Sequence, residues 1–156
     1  MKKRIIVSAL IFCAVHTFAQ KNPFEKFSDM DGVTSVYISK NMLSMLPKSS
    51  KMEYNGVNVG GFIDKLSSIL ILTSENAKIG SEMISLANKQ VKGDNYELLM
   101  HVKSGDNQKV NFFMRGKPEN IQELMMIVDG GKDDDYVIMQ LFGNFSMQDM
   151  EQITKG

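Results

Sequence analysis

Few side chains in this sequence have the chemistry of a catalyst. The chain contains two histidines and one cysteine, and both Cys13 and His16 fall in the first 19 residues, which have the features of a cleaved signal. Any Ser-His-Asp triad would therefore depend on His101. That residue stands between Met100 and Val102 in an alternating pattern, which is typical of a histidine on the surface of a strand. The sequence GVNVGG lacks the Lys-Ser/Thr of a phosphate-binding loop. We predict neither an enzyme nor a bound cofactor.

Three consecutive aspartates, Asp133 to Asp135, suggest a metal site. A calcium loop, however, places its carboxylates at alternating positions and ends in a coordinating glutamate, whereas adjacent aspartates point in different directions. The run follows Gly130-Gly131 and precedes an apolar stretch. We interpret it as a solvated turn and predict no metal ligand there.

Methionine is frequent, with 13 residues in the chain. Thioethers can bind Cu(I) in an exported protein, and Met42 with Met45, like Met147 with Met150, are three residues apart on predicted helices. Almost every methionine falls on a face that periodicity assigns to the core, where methionine is an adaptable filler. Core packing is the favoured interpretation, and copper binding is the alternative function.

The N-terminus has the composition of a secretory signal. Lys2, Lys3 and Arg4 precede an apolar run that ends in Thr17-Phe18-Ala19. This run is shorter than the roughly 20 residues that a membrane-spanning helix needs. The bulky Phe12 before Cys13 does not fit a lipoprotein signal, which requires a small residue there. We predict cleavage after Ala19, no lipid anchor and no stable membrane insertion, so the protein is expected in the periplasm or outside the cell.

The remaining residues 20–156 are expected to form a single α+β domain. Cleavage removes three of the 18 basic residues and none of the 18 acidic ones, which leaves a net charge of −3. This charge offers no basic surface for nucleic acid. Because the only cysteine is also removed, the hydrophobic core must stabilise the domain without a disulfide. A chain of this length suffices for one core and is short for two.

The elements before residue 67 form an N-terminal extension of the predicted fold. Asn22-Pro23-Phe24-Glu25 predicts a short helix that turns Phe24 and Phe27 inward. Val33 to Ile38 predicts a strand, and Ser39 is expected to cap a short helix. The inner side of that helix is predicted to carry Met42, Met45 and Leu46, and residues 48–61 are predicted to form a surface loop.

From residue 67 to 142 the pattern predicts the order strand, helix, strand, strand, helix, strand. Ile69 to Leu72 is a continuous apolar run, typical of a strand covered on both faces. Ser74 is expected to cap the first helix, and Pro118 is expected to open the second, with Gly130-Gly131 at its end. This order is the ferredoxin-like split βαβ arrangement (βαββαβ), an antiparallel sheet.

A C-terminal helix is predicted to follow the last strand. Ser146 and Asp149 are spaced as a capping box, and Phe145 before the cap can contact Met150 as a hydrophobic staple.

Several segments are similar to a family of exported Bacteroidota proteins that is known as domain of unknown function number 4252. They are VYISKNML, IDKLSSILILTSE, NYELLMHVKSGDNQKVNFFMRG with IQELMMIV, and YVIMQLFGNFSMQDMEQI. The resemblance covers nearly the whole of residues 20–156 and implies export, often as a small periplasmic or lipid-anchored protein. It implies no catalytic residues. Some relatives lie beside genes for alternative sigma factors, which implies a role in envelope signalling.

The candidate binding residues come from strand alternation. In the predicted fold the helices cover the face that carries Tyr96, Leu98, Met100, Val102, Val110, Phe112 and Met114. The other face would then present an apolar pair within a polar rim, as interaction surfaces do, and we select Leu99, His101, Phe113 and Arg115. The competing arrangement has residues 22–66 fold over this face and bury Leu99 and Phe113. The expected function is non-enzymatic binding of another envelope or extracellular protein; an undetected hydrolase is a third possibility after copper binding.

Overall fold

The computed structural model describes residues 21–46, 53–54, 57–58, 60–131 and 135–154. The predicted signal peptide, Cys13 and the aspartates 133 and 134 lie outside them, as does most of the predicted loop 48–61. The described helices are α1 (Glu25–Ser28), α2 (Lys40–Met45), α3 (Ala77–Gly93) and α4 (Met147–Thr154), with a 3-10 helix at Gly60–Lys65. The strands are β1 (Thr34–Ser39), β2 (Glu53–Tyr54), β3 (Val57–Asn58), β4 (Leu66–Ser74), β5 (Tyr96–Lys103), β6 (Lys109–Lys117), β7 (Asn120–Asp129) and β8 (Tyr136–Phe145).

The architecture is α+β, built on one open sheet of six strands in the order β1-β4-β8-β7-β6-β5. Every pairing in it is antiparallel. The predicted N-terminal extension is present as β1 and α2, since β1 pairs with β4 at one edge of the sheet. The other edge is β5, and β2 with β3 forms a separate small hairpin.

The predicted second helix after Pro118 is wrong, because residues 120–129 form β7. Pro118 and Glu119 instead connect β6 to β7, and Lys117 pairs directly with Asn120. The apolar spacing in this segment fits a helix, but Leu124 to Val128 is also an unbroken apolar run with no polar position for a solvated helix face. Such a run is typical of a strand buried on both faces. The split βαβ order is therefore replaced by one strand, one helix and four consecutive strands.

Two hydrophobic clusters cover the two faces of the sheet. On the face beneath α3, here called the α3 face, α1 and α3 pack on the sheet through Phe24, Phe27, Leu70, Leu72, Met83, Ala87, Met125, Ile127 and Ile138. On the other, the α4 face, the cluster includes Leu43, Ile63, Leu66, Ile69, Ile71, Met114, Ile121, Leu124, Met126, Val137, Met139, Leu141 and Phe145. The strands β4, β7 and β8 contribute to both clusters, as expected of central strands.

Of the predicted helix starts, Ser39 before α2 and Ser146 before α4 are confirmed, whereas α1 begins at Glu25 with Phe24, not Asn22, at the N-cap position. Phe24 and Phe27 are fully buried beside the short α1, and the Ser39 hydroxyl accepts a hydrogen bond from the Met42 amide at the start of α2. The cap of α3 is different from the prediction: Asn76 accepts from the first-turn amides, while the Ser74 hydroxyl donates to the Gly32 carbonyl. Ser74 is thus still part of β4.

The capping box of α4 is confirmed in both directions. The Ser146 amide donates to the Asp149 carboxylate over 2.7 Å, and the Asp149 amide donates to the Ser146 hydroxyl over 3.3 Å. Lys65 adds an ion pair with the same carboxylate at 2.6 Å. The Lys65 hydrogen bond and the Ser146 amide lower the pKa of Asp149 from 3.8 to about 2. Phe145 and Met150 both pack into the α4-face cluster, as the staple predicts.

The predicted inner side of α2 is wrong. Leu43 is the buried residue, whereas Met42 and Met45 are 51% and 78% exposed. A helix of six residues presents one narrow stripe to the sheet, and here Leu43 with the following Leu46 occupies it.

No helix in the described part of the chain combines the length and the apolar character needed to cross a membrane.

Candidate functional site

A β-bulge in β5 determines which side chains share a face at this edge of the sheet. The register between β5 and β6 shifts between Leu98 and Met100, so one extra residue, Leu99, interrupts the alternation. Before the bulge, Tyr96 and Leu98 pair with Arg115 and Phe113 on the α3 face; after it, the pairing of Met100 is with Phe112 on the α4 face. The predicted face assignment, which assumed unbroken alternation, is therefore wrong.

The four predicted binding residues do not form one open surface. Phe113 is half-buried and packs against the α3-face cluster, to which α1 and α3 contribute. Leu99 packs against the cluster on the other face. Arg115 belongs to a polar network described below, and the exposed His101 has its ring nitrogen within 2.5 Å of the Asn111 side-chain oxygen. The alternative arrangement, in which residues 22–66 cover one face and bury both Leu99 and Phe113, does not hold as stated, because the two side chains pack on opposite faces and each is only partly buried.

Exposed apolar side chains lie along β5 instead, as they also do on β1 and α2. Leu98, Met100 and Val102 are 53%, 47% and 45% exposed. On the α4 face, Met100 and Val102 stand directly opposite Phe112 and Val110 of β6, which are only half-buried. We call Met100, Val102, Val110 and Phe112 the β5 patch. Contiguous exposed apolar groups of this kind mark interaction sites more often than isolated ones do.

A buried polar network occupies the α3 face of the central strands. Glu123 of β7 is 1% exposed and Gln140 of β8 is fully buried, and the Gln140 amide donates to the Glu123 carboxylate over 2.8 Å. The Asn22 amide donates to the Gln140 side-chain oxygen over 2.9 Å. The other carboxylate oxygen of Glu123 pairs with Arg115 at 3.2 Å. A chain of partners thus satisfies groups whose burial would otherwise be costly.

The electrostatics of this network raise the pKa values of both Tyr96 and Arg115. Burial raises the pKa of the Tyr96 phenol well above its ordinary value, and the neighbouring Glu123 raises it further. Burial alone would lower the pKa of Arg115, but the Glu123 carboxylate and Tyr96 raise it above the ordinary value. The Arg115 guanidinium also lies 6.0 Å from the centre of the Tyr96 ring. The raised pKa values keep Tyr96 neutral and Arg115 charged near neutral pH, so neither of these two side chains is suited to exchange protons there.

A cleft of about 660 Å³ opens above the network. Gln90 and the last turn of α3 form one wall, Asn22 and Pro23 form another, and Glu123 and Gln140 lie at its floor. The Gln90 side-chain oxygen is buried in the described structure and has no hydrogen-bond partner. The four charged residues that line the cleft, Lys21, Asp94, Arg115 and Glu123, balance to zero. The lining contains no reactive nucleophile.

Sequence analysis missed Glu123 and Gln140. The available signal was a single polar residue inside each apolar strand, IQELMMIV and YVIMQLF. In the first segment the helix assignment placed Glu123 on a solvated face. In the second, Gln140 was not distinguished from its apolar neighbours. A polar side chain within a strand that is buried on both faces requires a partner, and that requirement was the clue.

Metal ligands do not gather in the described part of the chain: it holds no group of three or more histidine, cysteine, aspartate or glutamate side chains placed to bind an ion. Asp135, at the end of the acidic turn, is exposed.

The family described as Domain of unknown function (DUF4252) matches residues 26–153. The chain belongs to this family. The match extends from α1 through α4 and includes both the β5 patch and most of the polar network. No curated protein and no solved structure matches the chain.

Proposed function

We propose that this protein is an exported, non-enzymatic module that binds another protein of the cell envelope or the extracellular space through the β5 patch. The observation that carries the proposal is the exposure, near one half, of Met100 and Val102 on one face of an edge strand, directly opposite the half-buried Phe112 and Val110. Interface cores are enriched in methionine and aromatic residues and depleted of charge, and the patch has this composition.

The same strand supports binding through its backbone as well. β5 is bonded to β6 on one side only among the described residues, and an edge strand presents free N–H and C=O groups on its outer side. β5 carries a bulge and the charged Glu97 and Lys103, which protect edge strands, but Met100 and Val102 stay exposed between them and remain an aggregation liability. A natural partner that covers the edge would resolve this liability.

Export is proposed from the first 19 residues, whose basic start, apolar run and Thr17-Phe18-Ala19 ending are typical of a cleaved signal. The intact mass of the protein recovered from its own cells tests this. A chain that begins at Gln20 and carries no lipid is expected, and a retained signal or a lipid on Cys13 would contradict the proposal.

Binding is tested by crosslinking and affinity capture from the native envelope, with Met100→Thr/Val102→Thr compared with the wild type. Threonine retains strand propensity while it removes apolar surface. The matched control is Tyr37→Thr, because Tyr37 is 67% exposed on the opposite edge strand β1. We expect a protein that the wild type and the control capture and the double variant loses. Equal capture by all three proteins would refute binding at the patch.

Copper binding is the second candidate, and the exposure of two methionines three residues apart on α2 favours it. Two thioethers on one helix supply part of the soft ligand set that Cu(I) requires. Titration of the metal-free protein with Cu(I) tests this candidate. No change in melting temperature, and the same titration curve for Met42→Leu/Met45→Leu, would remove it.

A further inference from the structure

The charges beside the β5 patch are arranged in a way that the fold itself does not require. Lys103 of β5 stands directly opposite Lys109 of β6. Like charges at directly opposite positions destabilise an antiparallel pair. On its other side Lys109 faces Asp129 of β7, whereas Lys103 lies at the open edge. The edge strand therefore ends in Lys103, which has a second lysine, Lys109, directly beside it on β6 and apolar side chains before it.

The register after the bulge separates apolar from cationic positions by face. Met100 and Val102 point to the α4 face, and His101 and Lys103 point to the α3 face, because their partners on β6 alternate without interruption from Phe112 to Lys109. A strand added along β5 would follow the same two-residue period. One of its faces would meet apolar side chains, and the other would meet His101 and Lys103.

A second copy of this chain fits these positions poorly. In an antiparallel pairing, directly opposite residues share a face. Two antiparallel registers pair at least two of residues 100–103 with the same segment of a second copy. In one register His101 stands opposite His101, and in the other it stands opposite Lys103. Glu97, the acidic residue of β5, pairs with Met114 on the α4 face, before the bulge. It therefore cannot stand opposite a Lys103 on the α3 face, and self-pairing brings no carboxylate to either lysine.

We infer that the occupant of the β5 edge is an extended segment of a different protein, which alternates apolar and acidic side chains and adds to the sheet as a seventh strand. This inference rests on the proposed function and specifies its partner. Main-chain hydrogen bonds provide affinity in strand addition, and alternate side chains provide specificity. Here the apolar side chains extend the β5 patch, and the acidic ones stand opposite His101 and Lys103 on the α3 face.

The test uses two short capped peptides of alternating residues, one of valine and glutamate and the other of valine and lysine. They are titrated into the purified, isotope-labelled protein and followed by amide chemical shifts and hydrogen exchange along β5. We expect the acidic peptide to bind at least about fivefold more tightly, because it gains an exposed ion pair with Lys103 where the lysine peptide meets a like charge, and to slow exchange of β5 amides. In Lys103→Glu the preference should reverse.

Lys103 is exposed at the edge of the sheet, so the variant Lys103→Glu is expected to fold, and circular dichroism with its melting curve verifies this. Equal affinity for the two peptides, no effect on β5 amides, or a stable dimer in analytical ultracentrifugation would overturn the inference. If capture from the envelope depends on Met100 and Val102 but neither peptide affects β5, the proposed function stands and strand addition is wrong. If no protein is captured through the patch, the proposed function itself fails.

Discussion

At the centre of the sheet, β7 and β8 bury the carboxylate of Glu123 and the carboxamide of Gln140, whereas at the β5 edge large apolar side chains face solvent. Each placement is unfavourable when considered alone. In the centre, the cost is offset within the molecule, because Arg115 and Asn22 supply partners. At the edge, no described residue completes the surface. The difference separates polar groups that are satisfied within the fold from apolar groups that the described fold leaves exposed.

Loss of the Glu123 carboxylate should produce the largest effect. Glu123→Ala leaves the Gln140 amide without its acceptor and Arg115 without its counter-charge, and we expect the free energy of unfolding to fall by about 3 kcal/mol or more. Urea denaturation measures it. Glu97→Ala, at an exposed position on β5, is the control and should change stability by less than about 0.5 kcal/mol. Equal, small losses in the free energy of unfolding of both variants would show that the buried Glu123 contributes no more to stability than an exposed residue at the edge.

Replacement by threonine should destabilise the protein more at Phe113 of β6 than at Met100 of the neighbouring β5. Phe113→Thr removes a ring packed against the α3-face cluster and should cost about 2–3 kcal/mol. Met100→Thr, on the exposed side of β5, should cost about 0.5 kcal/mol or less. Thermal melting of the two variants measures the difference. If Phe113→Thr melts like the wild type, the α3 face at β6 is open, and Phe113 returns as a binding residue.

The smallest effect concerns the cap of α4. Asp149→Asn weakens the contacts with Ser146 and Lys65 and should cost about 1 kcal/mol at neutral pH. Because the folded pKa of Asp149 is lowered from 3.8 to about 2, its carboxylate stabilises the fold above pH 3.8 and loses this effect as the pH falls towards 2. The stability difference between wild type and variant should therefore disappear over that interval. A difference that persists at the lower pH would show that charge is not its source.

The sequence alone was sufficient for the α+β class, for the helices α1 to α4 and for the strands β1, β4, β5, β6 and β8. It also predicted the capping box, because local signals such as Ser146 with Asp149 act over a few residues. It failed for β7, where a segment buried on both faces has no solvated side to reveal its period. The bulge at Leu99 was also missed, since nothing in YELLMHVK distinguishes an extra residue from regular alternation. That single residue moved the candidate surface from Leu99, His101, Phe113 and Arg115 to the β5 patch.

The position of β8 in the sheet has a consequence for synthesis of the chain. β8 is the last strand to be made, yet it lies between β4 and β7 and contributes to both hydrophobic clusters. The earlier strands cannot close the sheet while this central place is empty, so the polypeptide must leave the ribosome through about Phe145 before the domain can fold. Long-range pairing of this kind is slow to form. Until then the nascent chain lacks the complete fold and is accessible to any factor that acts only on unfolded protein.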